Sequence, residues 1–425
     1  MGIFDSNFNI EKWKYRVNLI EIRIKDKIAF TIPNERLTAI DIIEKFEDWL
    51  FPVFRVKMVL SSTQYLKITK NKNNVKFHIR LYKYYNYFEK VGEPSLNSVA
   101  IDDMFSLILD DEQEDLTSGM KEEEMRLDYT TLKRDDSNDM VMVDNDVEFF
   151  LYKRSIAVNL KNQINKIFND VTVTDVISYL MYYIKAKNVL MSPATNNDRY
   201  STIVIPNLTV LEALRFLDTY YGIYDVGSMI YFGFDYAYII RYEGKCSAYT
   251  KGEKTKISIV IPKQISSHIA STGVLETKTG DKKRYIVADY QTIGSRNDNI
   301  SGELFEGNKI TVVNNFTGSS SNFESTENTL GSSHTKQQLN KTLNDWIGKT
   351  YSKQKKAEEN VVNVRLGDYD MTLLRPNKSF NILFEDTALT KKYDGEYILS
   401  SVEHHFAKEG ESLVLNSVCQ FKRTK

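Results

Sequence analysis

The chain has 425 residues, 42% of them hydrophobic and 27% charged, which is too long for one ordinary domain and predicts about two to four. Lys and Arg number 56 against 57 Asp and Glu, and the only cysteines are Cys246 and Cys419. That balance excludes a polycationic nucleic-acid binder, and two cysteines exclude a disulfide framework.

The N-terminus shows no charged-then-apolar signal segment, and no apolar run approaches the roughly 18 residues of a membrane span. The stretch MIYFGFDYAYII comes nearest, and Asp235 interrupts it. The expectation is a protein made and folded in a reducing cytoplasm with no membrane insertion. Its 26 tyrosines and 22 phenylalanines suit β-rich, wide contact surfaces.

In chain order, the first third reads as a β-domain carrying one helix. Thr38 to Leu50 predicts an amphipathic helix through Ile42, Ile43, Phe46, Trp49 and Leu50. Phe54, Val56, Met58 and Leu60 alternate with Arg55, Lys57 and Val59, and Val75, Phe77, Ile79 and Leu81 with Lys76, His78, Arg80 and Tyr82. Each set is a strand with one buried and one wet face. Between Asp110 and Asp146 stand fourteen acidic and four basic side chains, a net of −10 that leaves +9 on the remainder. Val147 to Leu151 resumes extended sequence.

The middle holds two helices. Thr174 is the predicted cap of one whose apolar face is Val176, Ile177, Leu180, Met181 and Ile184. Ile203 to Ile205 read as a short strand stopped by Pro206. Thr209 then stands three residues before Glu212, the spacing of a capping box. Val210, Leu214, Leu217 and Tyr221 share one helix face, and Gly222 ends it where a left-handed residue is wanted. Ile223 to Val226 and Ser228 to Phe234 read as two strands around Gly227.

The last section returns to strands. Ile257, Ile259 and Ile261 alternate up to Pro262, and Arg284 to Ala288 follow. A Gly-, Ser- and Asn-rich run from 294 to 333 predicts a mobile loop, because it buries too little apolar surface to offset its chain entropy. A helix over 335–358 carries Leu339, Leu343, Trp346, Ile347 and Tyr351. Val361 to Leu366, Lys378 to Glu385, and Glu396 to Phe406 hairpinned with Ser412 to Phe421 across Gly410 close the chain. The expected fold class is α+β in the order barrel, α/β insert, second barrel. Its bounds are 1–152 with an acidic insertion at 104–146, then 153–245, then 246–425.

Catalytic signatures are absent from the sequence: no serine elbow, phosphate-cradling loop or dinucleotide fingerprint. His404 and His405 are neighbours on a strand and point to opposite faces, so they share no metal. His78, His268 and His334 have no ligand-spaced partners. Asp135, Ser137 and Asp139 have calcium-loop spacing, but Met140 stands where glycine is needed; Asp110, Glu112 and Glu114 fail likewise at Asp115. Cys419 shares a strand face with Leu413, Leu415 and Phe421 and reads as a small buried hydrophobe. No catalytic, cofactor-binding or metal residue is assigned.

Two segments carry a resemblance. TVLEALRFLDTYYGIYDVGSMIYFGF has a helix, a Y-G pair and paired strands. NKSFNILFEDTALTKKYDGEYILSSVEHHFAKEG places Tyr393, Gly395 and Tyr397 before a strand ending in His405 and Phe406. In these, and in the order of its elements, the chain resembles the central hub proteins of bacteriophage tail baseplates and is similar to the barrel part of type VI secretion spike proteins. The resemblance implies two tail-tube-like β-barrel domains with an inserted α/β region, and a non-enzymatic homotrimer in the virion. It also implies a tail tube protein, a central spike protein and neighbouring baseplate proteins as partners, with DNA passing through unbound. The sequence departs from the secretion-type proteins in showing no repetitive β-helix spike and no recognisable OB-fold after the second barrel. The expectation is that piercing and cell-wall digestion would then belong to partner chains. The acidic stretch reads first as a solvated loop, with the ring lumen or a basic partner as its alternatives. A carbohydrate-binding tail-fibre or receptor-binding module and a cell-wall hydrolase stay open as other functions.

Overall fold

The computed structural model describes residues 8–47, 49–85, 98–108, 144–186, 188–224, 228–241, 257–262, 273–277, 283–294, 309–314, 319–324, 333–338, 361–386, 389–390 and 393–423. The first third contributes β1 (Phe8–Glu11), β2 (Trp13–Ile24), β3 (Lys27–Pro33), β4 (Leu37–Lys45), β5 (Val53–Ser61), helix α1 (Ser62–Thr69), β6 (Val75–Tyr85), β7 (Ser98–Leu107) and β8 (Asp144–Tyr152). Lys25 and Asp26, both at positive φ (49° and 63°), make the tight turn between β2 and β3, the conformation whose twist matches a hairpin. The alternation in β5 and β6 is as the sequence predicts, with Phe54, Val56, Met58, Leu60, Val75, Phe77, Ile79 and Leu81 buried.

The predicted helix 38–50 is instead strand β4 followed by a turn. β4 is buried on both faces: Ile40 and Ile42 lie in one core and Ile43 packs against a second. A strand covered on both sides loses its period-two signal, and its apolar run then mimics a helix face. The acidic insertion is also narrower than 104–146, because β7 runs to Leu107 and β8 begins at Asp144.

The middle region contains α2 (Arg154–Leu160), β9 (Gln163–Thr172), α3 (Val173–Tyr183), β10 (Val189–Met191), β11 (Arg199–Thr209), α4 (Val210–Phe216), β12 (Ser228–Phe232) and β13 (Ala237–Arg241). The capping box at Thr209 forms as predicted: Glu212 N donates to Thr209 Oγ1 at 3.2 Å and Thr209 N to Glu212 Oε2 at 2.7 Å. The helix finishes in a π turn, Leu217–Tyr221, and Gly222 leaves it at φ +71°.

Four local readings are corrected. Thr172 rather than Thr174 caps α3, through its own box with Asp175, and Thr174 lies in the first turn. Pro206 does not end its strand, because β11 continues to Thr209 across a register shift that accommodates the missing N–H. Ile223 and Tyr224 form bends rather than a strand. The hairpin lies later, β12 with β13, and Ser228 to Phe234 is shortened at Phe232.

The last section supplies β14 (Ile257–Ile261), β15 (Val274–Thr277), β16 (Arg284–Gly294), β17 (Lys309–Asn314), β18 (Ser319–Glu324), β19 (Ser333–Gln338), β20 (Val361–Gly367), β21 (Ser379–Phe384), β22 (Gly395–Glu409) and β23 (Ser412–Arg423). The predicted loop 294–333 therefore contains strands β17 and β18, which pair with each other. The predicted helix 335–358 begins instead as β19, parallel to β17, and its remainder lies outside the described residues. The closing hairpin turns at Gly410 with φ +62°, as the sequence implies.

Most strands belong to one large ring-like sheet whose pairing closes on itself twice. The first circuit runs β22–β4–β5–β8–β7–β6–β2–β23 and returns to β22. The second runs β14–β21–β22–β23–β20–β16 and returns to β14. The long hairpin β22–β23 is common to both. One apolar core, from Tyr15 to Phe421, serves the two circuits. A second fills the middle region, where Phe51 stacks on Phe232 at 5.6 Å, and strand β12 belongs to both, with Tyr231 in the first core and Phe232 in the second.

Candidate functional site

His404 and His405 sit on β22 and face opposite ways, as strand alternation requires. His404 is buried. Its Nδ1 lies 2.8 Å from Ser417 Oγ on β23, and the same hydroxyl accepts from Tyr369 O–H at 2.7 Å. On the other side of the ring, His404 Nε2 stands 3.8 Å from Glu44 Oε1 on β4, and Glu44 Oε2 accepts from Tyr231 O–H on β12 at 2.7 Å. Tyr15 on β2 lengthens the line, donating to Tyr369 O at 2.9 Å and accepting from Met371 N at 2.7 Å.

A file of polar side chains thus crosses an otherwise apolar core, joining the first circuit, the shared hairpin and the middle region. Burial raises the Glu44 carboxyl to about 7 even though the Tyr231 hydrogen bond favours its charged form. Burial also lowers His404 to about 3, and it pushes the Tyr15, Tyr231 and Tyr369 hydroxyls well up. Cys419 is buried, as predicted, and its thiol is pushed up by that burial.

The outer face of the same strands carries charge. Asp41 is fully buried beneath Arg55, whose Nε donates to Asp41 Oδ2 at 2.6 Å, and His405 Nδ1 pairs with Asp41 Oδ1. Arg55 also lies 3.3 Å from Glu148 and 3.9 Å from Glu403. These pairs fasten β22, β4, β5 and β8 to one another across their outer surface.

An open groove of about 930 Å³ lies beside the β2–β3 turn, lined in part by Lys25, Asp26, Lys76, His78, Asp102 and Arg154. Its charges are largely partnered: Lys76 with Asp26 at 2.7 Å, and His78 Nε2 with Asp102 at 2.7 Å and Nδ1 with Glu21 at 3.3 Å. His78 therefore has carboxylate neighbours that sequence spacing does not show, since Glu21 and Asp102 reach it from adjacent strands. The hydrogen bond from His78 holds Asp102 below the usual carboxylate range.

Among the described residues, no three metal-ligating side chains converge, and no helix is long and apolar enough to cross a membrane. Cys246, His268 and the calcium-spaced sets at 110–115 and 135–140 lie outside the described residues, and of His334 the strand β19 is described.

The fold is that of phage tail proteins. A tail protein from Neisseria meningitidis MC58 superposes with a TM-score of 0.51 over 96% of both chains at 13% identity. The 43 kDa tail protein of prophage MuSo2 from Shewanella oneidensis gives 0.50 over 96% of this chain and 98% of that one at 11% identity. A chain from a Francisella PdpA–VgrG complex aligns over 99% of this chain and 59% of its own length, with a TM-score of 0.46 and 8% identity. No curated protein matches in sequence. The chain belongs to the family of the Bacteriophage PBS1 gene 109 protein, which matches residues 6–424.

Proposed function

We propose that this protein is a structural component of the phage tail, the central hub of the baseplate, and that it works as a homotrimer without catalytic activity. The observation that carries this reading is the double closure of the strand pairing around one shared hairpin. Each circuit is read as a tail-tube-like barrel, the first built largely from 1–152 and the second from 246–425, with the 153–245 region as an α/β layer beside them. Three subunits then place six barrels about one axis, matching a sixfold tail tube on one side and a threefold spike on the other. Closed symmetry of this kind also pairs or covers strand edges that would otherwise aggregate.

In this role the ring forms part of the DNA channel and passes DNA without specific binding, which suits a chain with no excess of basic residues. The tail tube protein, the central spike and neighbouring baseplate proteins are the partners, and the virion is where the protein resides. Mass photometry of the purified chain at micromolar concentration, alone and mixed with purified tube and spike proteins, tests the proposal. A trimer, with or without the spike, is expected. A monomer in every mixture overturns it.

A further inference from the structure

Glu44, His404 and Tyr231 come from β4, β22 and β12, so their meeting point is where both circuits and the middle region join. Tyr231 O–H donates to Glu44 Oε2 at 2.7 Å. The opposite oxygen, Oε1, faces His404 Nε2 at 3.8 Å, and that buried nitrogen has no hydrogen-bond partner among the described residues. His404 Nδ1 is already engaged with Ser417 Oγ at 2.8 Å, which in turn accepts from Tyr369. Asp235, in the turn between β12 and β13, is the other charged group that acts on Glu44. Tyr238 on β13 donates to Asp235 at 2.7 Å. From β23 the neighbouring titratable group is the buried thiol of Cys419. Asp41, Arg55 and His405 lie on the opposite face of the sheet.

Two hydrogen-bond directions run along this line once Glu44 and His404 close to about 2.8 Å. With Glu44 ionised, Tyr369 donates to Ser417, Ser417 donates to Nδ1, and Nε2–H donates to the carboxylate. With Glu44 protonated, its O–H donates to Nε2, Nδ1–H donates to Ser417 Oγ, and the Ser417 O–H turns to Tyr369 Oη, 2.7 Å away, so that the Tyr369 proton is displaced from the line. The imidazole carries one proton in both arrangements and changes only its tautomer. The additional proton, taken from solvent, rests on Glu44, and Tyr231 donates to the carboxyl throughout.

We propose that Glu44 and His404 form a proton-operated junction in which uptake of one proton by Glu44 reverses the hydrogen-bond direction from Tyr369 through His404. The reversal falls in the neutral range, because burial puts the Glu44 transition at about 7 while His404 stays neutral down to about 3. Glu44 titrates higher in the fold than its ordinary 4.5. Its contribution to stability is therefore complete below the ordinary value and is lost as pH rises through 7. Asp218, a second buried carboxyl pushed up to about 6 by burial, adds a dependence of the same sign. It is common to wild type and to variants at Glu44, and so cancels between them.

The test is nitrogen NMR of the full chain labelled at histidine, combined with urea unfolding. In wild type, the His404 signals should pass from the Nδ1–H tautomer at pH 6 to the Nε2–H tautomer at pH 8.5. Glu44→Gln, whose amide donates to Nε2 at every pH, should hold the Nδ1–H tautomer throughout. The unfolding constant of wild type relative to Glu44→Gln should rise about tenfold from pH 6 to 8.5, the ratio expected of one carboxyl titrating near 7. Tyr231→Phe removes the hydrogen bond that favours the carboxylate and should move the wild-type transition to higher pH. Should Glu44→Gln fail to fold, the wild-type and Tyr231→Phe titrations still decide. A single tautomer from pH 6 to 8.5, or an imidazolium anywhere in that range, overturns the proposal.

Discussion

At the scale of single residues, the structure depends on hydroxyls that alternation alone assigns to the core. Tyr15 occupies an inward position on β2 and packs edge-on against Phe406 at 5.0 Å. Nothing in the pattern around it shows that its hydroxyl meets the backbone of Tyr369 and Met371 some 350 positions later. Here also the first circuit closes most thinly, because β2 meets β23 through the single register pair Tyr15 and Leu413. Tyr15→Phe keeps the ring and leaves the Met371 N–H buried without a partner, an arrangement that costs about 1–3 kcal/mol. Urea unfolding should show that loss with an unchanged denaturant slope. A loss below about 0.5 kcal/mol would mean that water reaches the amide and that the closure is looser than the distances imply.

At the scale of elements, the signals that are local are the ones legible in the sequence. The box at Thr209 and the turn of the closing hairpin depend on residues close together in the chain, and Thr209 with Glu212 and the turn at Gly410 appear where expected. Two of the misreadings share one cause, which is that neighbouring strands and cores change what the local pattern shows. β4 resembles a helix because two cores claim its two faces, and β11 passes Pro206 because a bulge takes up the missing donor. The polar line through Glu44 and His404 was illegible for a related reason. Each member is an ordinary residue at its position, and the register of β4 against β22 is what brings them together.

The caps themselves yield a prediction. α3 and α4 begin at exposed boxes on separate strands, so Thr172→Ala and Thr209→Ala should each destabilise the middle region by about 1 kcal/mol. Their effects should add in the double variant to within about 0.5 kcal/mol, since the two sites share no hydrogen bond. Thermal unfolding of the two single variants and the double variant checks this. Serine at either position should restore most of the loss.

At the scale of the whole molecule, the distribution of strands along the chain makes a further demand. Six of the strands in the first circuit lie between Trp13 and Tyr152, but the two that complete it, β22 and β23, lie beyond residue 394. No length or composition argument could show this, because a strand's partner is set by the far end of the chain. Without the hairpin, β4 loses its pairing along Ala39–Lys45 and β2 loses its contact at Tyr15. The edges so exposed are rich in Ile and Val, the kind that associate with other chains. A chain ending at Arg241 should therefore form aggregates, or soluble material without a cooperative urea transition. Joining residues 395–423 to that fragment through a flexible linker should restore a single cooperative transition and a fixed near-ultraviolet dichroism of the aromatic core. If the shorter fragment unfolds cooperatively by itself, the N-terminal strands close among themselves and the shared hairpin is dispensable to the ring. If the hairpin restores the transition, folding of the first circuit must await synthesis of the last thirty or so residues, and the two circuits become one cooperative unit.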